Sequence, residues 1–205
     1  MRTSTETASA PKPRGRPRNF DRDTVLRAAL QRFRTHGFAA TSLDDLADAT
    51  GVNRPSLYAA FGDKRALYLA ALGRTHEWLT ASFAALREAG FPKHKLLTRI
   101  FAFSIDTYMG GEQGPSGCIA VNTAAAEAVT DPDIRAALAR ILALQDAEIA
   151  ALLGQAGDAT PAAHARLVTC VLHSLSVRAR AGESREALEA IAAECVEMIA
   201  GRKQP

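Results

Sequence analysis

From residue 20 onward, apolar side chains recur three and four positions apart, and no stretch alternates apolar and polar residues with a period of two. That periodicity, carried by an Ala- and Leu-rich chain, excludes a sheet protein and calls for an all-α fold. Gly and Pro punctuate it sharply. The expected helices are nine, over about 22–36, 43–50, 54–61, 64–88, 93–109, 118–129, 133–153, 161–181 and 184–200. Gly37, Gly51 and Gly62 close the first three, and Ser42, Asn53 and Asp63 stand where N-caps belong. The chain of 205 residues has ample length for a core.

Charge divides the chain. Residues 1–75 carry 13 Lys and Arg against 7 Asp and Glu, whereas the remainder carries 12 against 15. A basic N-terminal third on a mildly acidic body suits a polyanionic partner. The expected organisation is a disordered basic arm (1–19), a helix-turn-helix unit (20–72) and a larger helical domain (73–205) for ligand binding and dimerisation. Three widely spaced cysteines fit neither a disulfide framework nor a paired zinc site, so a reducing cytoplasm is the expected location. No apolar run approaches a membrane span and no secretory h-region is seen, so no membrane partner is expected.

The segment LDDLADATGVNRPSLYAAF, residues 43–61, has the chemistry of a helix-turn-helix. Ala47 is small where two helices cross, Gly51 supplies a positive φ for the turn, and Pro55 sits in a first helical turn where its missing N–H costs nothing. Val52, Leu57 and Phe61 face inward. Arg54, Pro55, Ser56, Tyr58 and Ala59 are left outside, on the N-terminal half that enters a major groove. Arg54 suits guanine O6 and N7, Pro55 and Ala59 suit thymine methyls, and Ser56 suits base or phosphate. Tyr58 and Lys64 suit phosphate, with Thr41 or Ser42 holding the backbone on the other side. For Tyr58 a half-buried packing role is the alternative, and for Lys64 a solvated charge.

The run GFAATSLDDLADATGVNRPSLYAAFGDKRAL, residues 37–67, resembles the DNA-binding domain of TetR-family transcriptional regulators. The matching features are Gly37-Phe38, Thr41-Ser42, Gly51-Val52, Leu57-Tyr58, and Phe61 leading to Lys64. The resemblance covers about residues 22–72. It implies a homodimer that reads an inverted-repeat operator in double-stranded DNA, most often as a repressor. It also implies a C-terminal domain that binds a small-molecule effector and thereby changes the spacing of the two readers. Ala59 and Ala60 depart from the larger or polar residues of many members, which leaves more of the base reading to Arg54.

In the arm, PKPRGRPR (11–18) resembles an AT-hook core. Its prolines keep it extended, Gly15 allows close approach, and Arg14, Arg16 and Arg18 can enter a narrow A·T minor groove. The alternative is a solvated tail that adds only nonspecific attraction. Farther on, the eighth expected helix carries Leu167, Val168, Val171, Leu172 and Leu175. The ninth carries Leu188, Ile191, Ala192, Cys195, Met198 and Ile199. These stripes form either a dimer face or intramolecular core, and the resemblance favours the dimer.

Candidate pocket linings are Trp78, Phe83, Phe101, Phe103, Tyr108, Asn122 and His173. Each has a structural alternative: aromatics at helical spacing form core, Asn122 can tie helices, and His173 can be a hydrogen-bonded core group. Cys118, at a helix start with no nearby Lys or Arg in sequence, is a candidate thiol sensor or a packing residue. No HExxH, CxxC, G-x-S-x-G or phosphate-binding glycine loop appears, so neither enzyme activity nor a cofactor is expected. An architectural A·T-binding protein without effector is a further alternative, disfavoured because such a protein does not need a domain of about 130 residues after its reader.

Overall fold

Side-chain caps explain where most of the helices begin. In the computed structural model, which describes residues 20–111 and 114–201, the elements are α1 (Arg22–His36), α2 (Leu43–Thr50), α3 (Arg54–Phe61), α4 (Lys64–Ala89), α5 (Lys93–Met109), α6 (Ile119–Ala125), α7 (Glu127–Thr130), α8 (Pro132–Gln155), α9 (Pro161–Arg180) and α10 (Arg185–Ala200). The described residues contain no strand. Asp21 accepts from the amides of Asp23 and Thr24, both at 3.1 Å. Ser42 and Asp45 form a reciprocal capping box at α2. Asn53 accepts from the Ser56 amide at 3.0 Å, and Asp63 from the Ala66 amide at 2.7 Å. Gly51, at φ 67°, makes the left-handed turn between α2 and α3.

The single helix expected over 118–129 is two. Ala126 leaves helical geometry at φ −135° and ψ −65° and separates α6 from α7. No Gly or Pro marks the break. The cause is tertiary: the Arg135 guanidinium on α8 takes the carbonyls of Ala128 and Val129, each at 2.7 Å, and folds α7 back onto the start of α8.

Two apolar clusters fill the molecule. The first joins Val25, Ala29 and Phe33 of α1 to Leu46, Leu57 and the Leu67–Leu72 part of α4. It continues without interruption into Ile119, Ala120, Ile134 and Ile141. Tyr68 lies at its centre, edge-on to Phe33 at 4.8 Å, with its hydroxyl 2.6 Å from the Thr123 hydroxyl. Burial pushes the Tyr68 phenol up to about 12. The second cluster unites α5, the C-terminal half of α8, α9 and α10. With 26 residues, α4 is a strut of about 39 Å at the usual rise per residue, and Leu79 packs against both clusters.

The expected dimer stripes on α9 and α10 are largely intramolecular. Val168, Leu172, Leu175, Leu188, Ala192, Cys195 and Ile199 all belong to the second core. A helix hydrophobic on more than one side shows the same three-and-four spacing whichever side its neighbours cover. Left exposed are Leu167, Val177 and Met198, the last two at 55% and 65%.

Candidate nucleic-acid interface and cavity

The turn at Gly51 sets α3 across α2 and leaves one face of α3 outside the protein. Leu57 is buried and anchors the helix, while Arg54, Pro55, Tyr58 and Ala59 are exposed and Ser56 is half-buried. Tyr58 keeps about half of its surface exposed, at 48%. Arg54 reaches back to a salt bridge with Asp44 in the first turn of α2. Its guanidinium is thus steadied beside the turn rather than waving freely. Exposed pairs of this kind contribute little to stability, so the arginine can exchange partners at low cost. Arg14, Arg16 and Arg18 lie outside the described residues.

Three expected phosphate contacts stand differently from one another. The Thr41 side chain is fully buried, and its hydroxyl donates to the Gly37 carbonyl at 2.6 Å, so it closes the turn after α1 instead of facing outward. Ser42 is exposed, but its hydroxyl is committed to the capping box, donating to Asp45 at 2.7 Å. Lys64 is not a free cation. Its ammonium donates to the carbonyls of Phe38 and Thr41, both at 2.9 Å, and sits 4.2 Å over the Phe38 ring. An ammonium has three N–H groups, so one remains for an outside acceptor. Arg22, which patterning did not single out, acts in the same way. It donates to the Ala60 carbonyl at 2.6 Å with its guanidinium 4.3 Å over Phe61. Arg22 thus ties the C-terminal end of α3 to the start of α1, and Lys64 ties the start of α4 to the turn after α1, each through a backbone carbonyl and an aromatic face.

Behind this unit lies a cavity of about 750 Å³, bounded by α1, α4, α5, α8, α9 and the approach to α6. Trp78 and Phe103 stack at 5.4 Å in its wall, and Tyr108 and Cys118 also line it. Of the remaining expected linings, Phe83 is there and Phe101, Asn122 and His173 are not. Phe101 is buried in the second core. Asn122 donates to the Arg34 carbonyl at 2.9 Å and so joins α6 to α1. The His173 ring belongs to α9 packing; burial lowers its pKa, opposed by Asp146, and its Nε2 has no partner among the described residues. Burial likewise raises the Tyr108 phenol and the Cys118 thiol above their ordinary values.

Residues 25–71 match the family described as "Bacterial regulatory proteins, tetR family". The chain is 35% identical over 192 residues to the HTH-type transcriptional repressor ComR of Escherichia coli (strain K12), covering 88% of this chain and 90% of that one. The chain belongs to the TetR family. It is 28% identical to the repressor BdcR of the same organism, over 90% of this chain and 92% of that one. Its fold superposes on a cysteine mutant of the TetR-family regulator CifR, solved with 26 bp double-strand operator DNA. The TM-score is 0.74 at 25% identity, with 89% of this chain and 98% of that chain covered. A TetR regulator from Legionella pneumophila shares the fold at TM-score 0.78 and 15% identity, over 89% of this chain and 99% of that one.

Membership makes this TetR-family protein a DNA-binding transcriptional regulator, in a family of regulators rather than enzymes. Among the described residues, no helix is long and apolar enough to cross a membrane. Most of the cavity wall escaped sequence reasoning, including its two enclosed polar residues, Arg34 on α1 and Gln145 on α8. Arg34 reads as one of several basic surface positions, and Gln145 as a polar interruption in an Ala- and Leu-rich helix. Neither position carries a local signal of enclosure.

Proposed function

We propose that the protein is a cytoplasmic, homodimeric, ligand-responsive repressor that holds an inverted-repeat operator and releases it when a small molecule fills the cavity. The observation that carries this is the composition of the cavity wall. Arg27, Leu30 and Arg34 of α1 line it together with residues of α4 and α5, so an occupant touches the helix on which the reading unit is packed. Such a ligand acts through differential affinity for two arrangements of the dimer, only one of which matches groove spacing of about 34–36 Å.

In this function residues 20–72 form the reader and residues 73–205 the ligand-binding and dimerisation domain. Arg54 reads a guanine, with Pro55, Ser56 and Ala59 at the groove floor; Tyr58 and the free N–H of Lys64 meet phosphates, while Ser42, its donors engaged by Asp45, holds the start of α2 in place. The exposed residues Leu167, Val177 and Met198 on α9 and α10 belong to the face that meets the second copy. The relatives ComR and BdcR, both named repressors, and the operator-bound CifR support the sign and the partner. An architectural role without effector leaves the cavity unexplained. Thiol sensing through Cys118 is disfavoured, because burial raises its pKa and a reactive cysteine needs thiolate.

The test is a titration of purified protein against a selected operator fragment, with the mass of the complex measured by light scattering. Two protomers on one inverted repeat are expected, as is loss of the complex on adding an effector drawn from a small-molecule screen. A complex with one protomer, or a duplex held equally well at any sequence, would overturn it.

A further inference from the structure

We infer that the cavity is built for an anionic amphiphile, with an apolar body against Trp78 and Phe103 and a carboxylate-type head received by Arg34. This rests on the effector reading above and names the class of ligand. The wall is mostly apolar, contributed by Leu30, Leu79, Phe83, Ile100, Ile141 and Leu172. That selects against wholly polar molecules. The polar groups then decide which end of an amphiphile is received.

Most charges around the cavity already have partners. Arg74 is held by Asp23 at 2.5 Å, Arg27 pairs with the same carboxylate, and Asp106 is held by Arg185 at 2.6 Å. Arg99, exposed at the rim, lies 5.4 Å from the Phe91 ring centre. Of the two arginines in the wall that no carboxylate holds among the described residues, Arg99 is exposed and Arg34 is the enclosed one. Its Nε is enclosed and has no partner, and among the described residues its side chain bonds only from Nη2 to the Gly110 carbonyl, at 3.3 Å. No carboxylate pairs with it among the described residues. A guanidinium nitrogen enclosed without a partner or counter-charge is costly, and a bidentate anion is the group that fits its fork.

Gln145 makes a second, independent case that something belongs there. It is 6% exposed, lines the same cavity from α8, and its Oε1 is enclosed with no partner. Buried side-chain amides are nearly always bonded, so a hydrogen-bond donor on the ligand, apart from its anionic head, is the natural partner for this oxygen. Among the described residues the one carboxylate in the wall, Asp106, is already engaged, which leaves none there to receive a cationic ligand.

The position of Arg34 also gives such a head leverage. The main-chain carbonyl of the same residue accepts from Asn122 of α6 at 2.9 Å and from Arg180 of α9 at 3.1 Å. An anion on the guanidinium competes with the Gly110 carbonyl at the point where the last turn of α1 is tied to the ligand domain.

Trp78 is the sole tryptophan, so its fluorescence reports occupancy of the cavity. The full-length protein is titrated with 4-phenylbutyrate, 4-phenylbutanol and 4-phenylbutylamine, which share a body and differ in the head. The carboxylate is expected to bind about tenfold or more tightly than the alcohol, and the amine to bind most weakly. Arg34→Gln is expected to erase the preference while leaving the alcohol's affinity unchanged. Gln145→Leu, which removes no charge, is expected to keep the preference. Equal binding of alcohol, amine and carboxylate overturns the anionic class and leaves the effector reading standing. A preference that survives Arg34→Gln overturns the assignment of the head to Arg34. If none of the three perturbs Trp78 and none dissociates the operator complex, the anionic class and the ligand-responsive reading both fall.

Discussion

Lys64 shows how one cation can serve the reading unit from within. By taking the carbonyls of Phe38 and Thr41, it fastens the start of α4 to the turn that follows α1. Lys64→Ala is therefore expected to lower folding stability by about 1–2 kcal/mol in denaturant titrations, the scale of charge-assisted hydrogen bonds that are partly exposed. A solvated lysine would leave the midpoint unchanged. Arg54 is expected to behave in the opposite way: Arg54→Ala leaves stability within about 0.5 kcal/mol, because its pair with Asp44 is exposed, but relaxes base preference at one or two positions in a binding selection. An unaltered specificity profile would show that other groups read the bases. A third residue-scale expectation concerns acid. Asp131 caps α8 and receives Arg65 at 2.5 Å, and this arginine holds its pKa down from 3.8 to about 2. A carboxyl depressed on folding contributes stability that is complete above the unfolded value and lost as pH falls through the folded one. Between about pH 4 and pH 2, Asp131→Asn should thus show a shallower loss of stability than the natural protein; parallel slopes would contradict the pairing.

At the scale of elements, helix boundaries were the most legible part of the chain. The bounds of α1, α2, α3 and α5 follow from glycines, prolines and capping side chains, because those signals act within one or two turns. The break between α6 and α7 was not legible, since an arginine of the following helix, bonded to the carbonyls of α7, makes it. The burial of Thr41 depends on how the turn after α1 folds over, and the enclosure of the Arg34 Nε depends on the tertiary surroundings of α1; neither is written in local pattern. The same limit affected α9 and α10, where periodicity reported apolar stripes without saying which neighbour covers them. For the face left over, Val177→Glu is expected to convert the dimer to a monomer in light scattering and to abolish tight operator binding. A charged variant that stays dimeric would move the interface away from this face.

For the whole molecule, the first core matters most, because it runs from α1 through α4 into α6 and α8 without interruption. The reader is thus not hung on a flexible linker, and in the proposed function a change at the cavity wall reaches it through packed side chains and the carbonyl of Arg34. In the proposed function the arm adds a separate, electrostatic contribution. Deleting residues 1–18 removes five of the 25 Lys and Arg, and is expected to weaken operator binding and flatten its log–log salt dependence by roughly 0.9 for each phosphate the arm would otherwise neutralise. An unchanged slope would show that the arm does not touch DNA. The central claim is that two copies of this chain read one inverted repeat, and the measurement that tests it most directly is selection from a random duplex library by the purified protein at near-physiological salt. The expected result is an enriched inverted repeat with half-sites about one helical turn apart and A·T-rich flanks. Recovery of unrelated sequences with only salt-sensitive binding would contradict it.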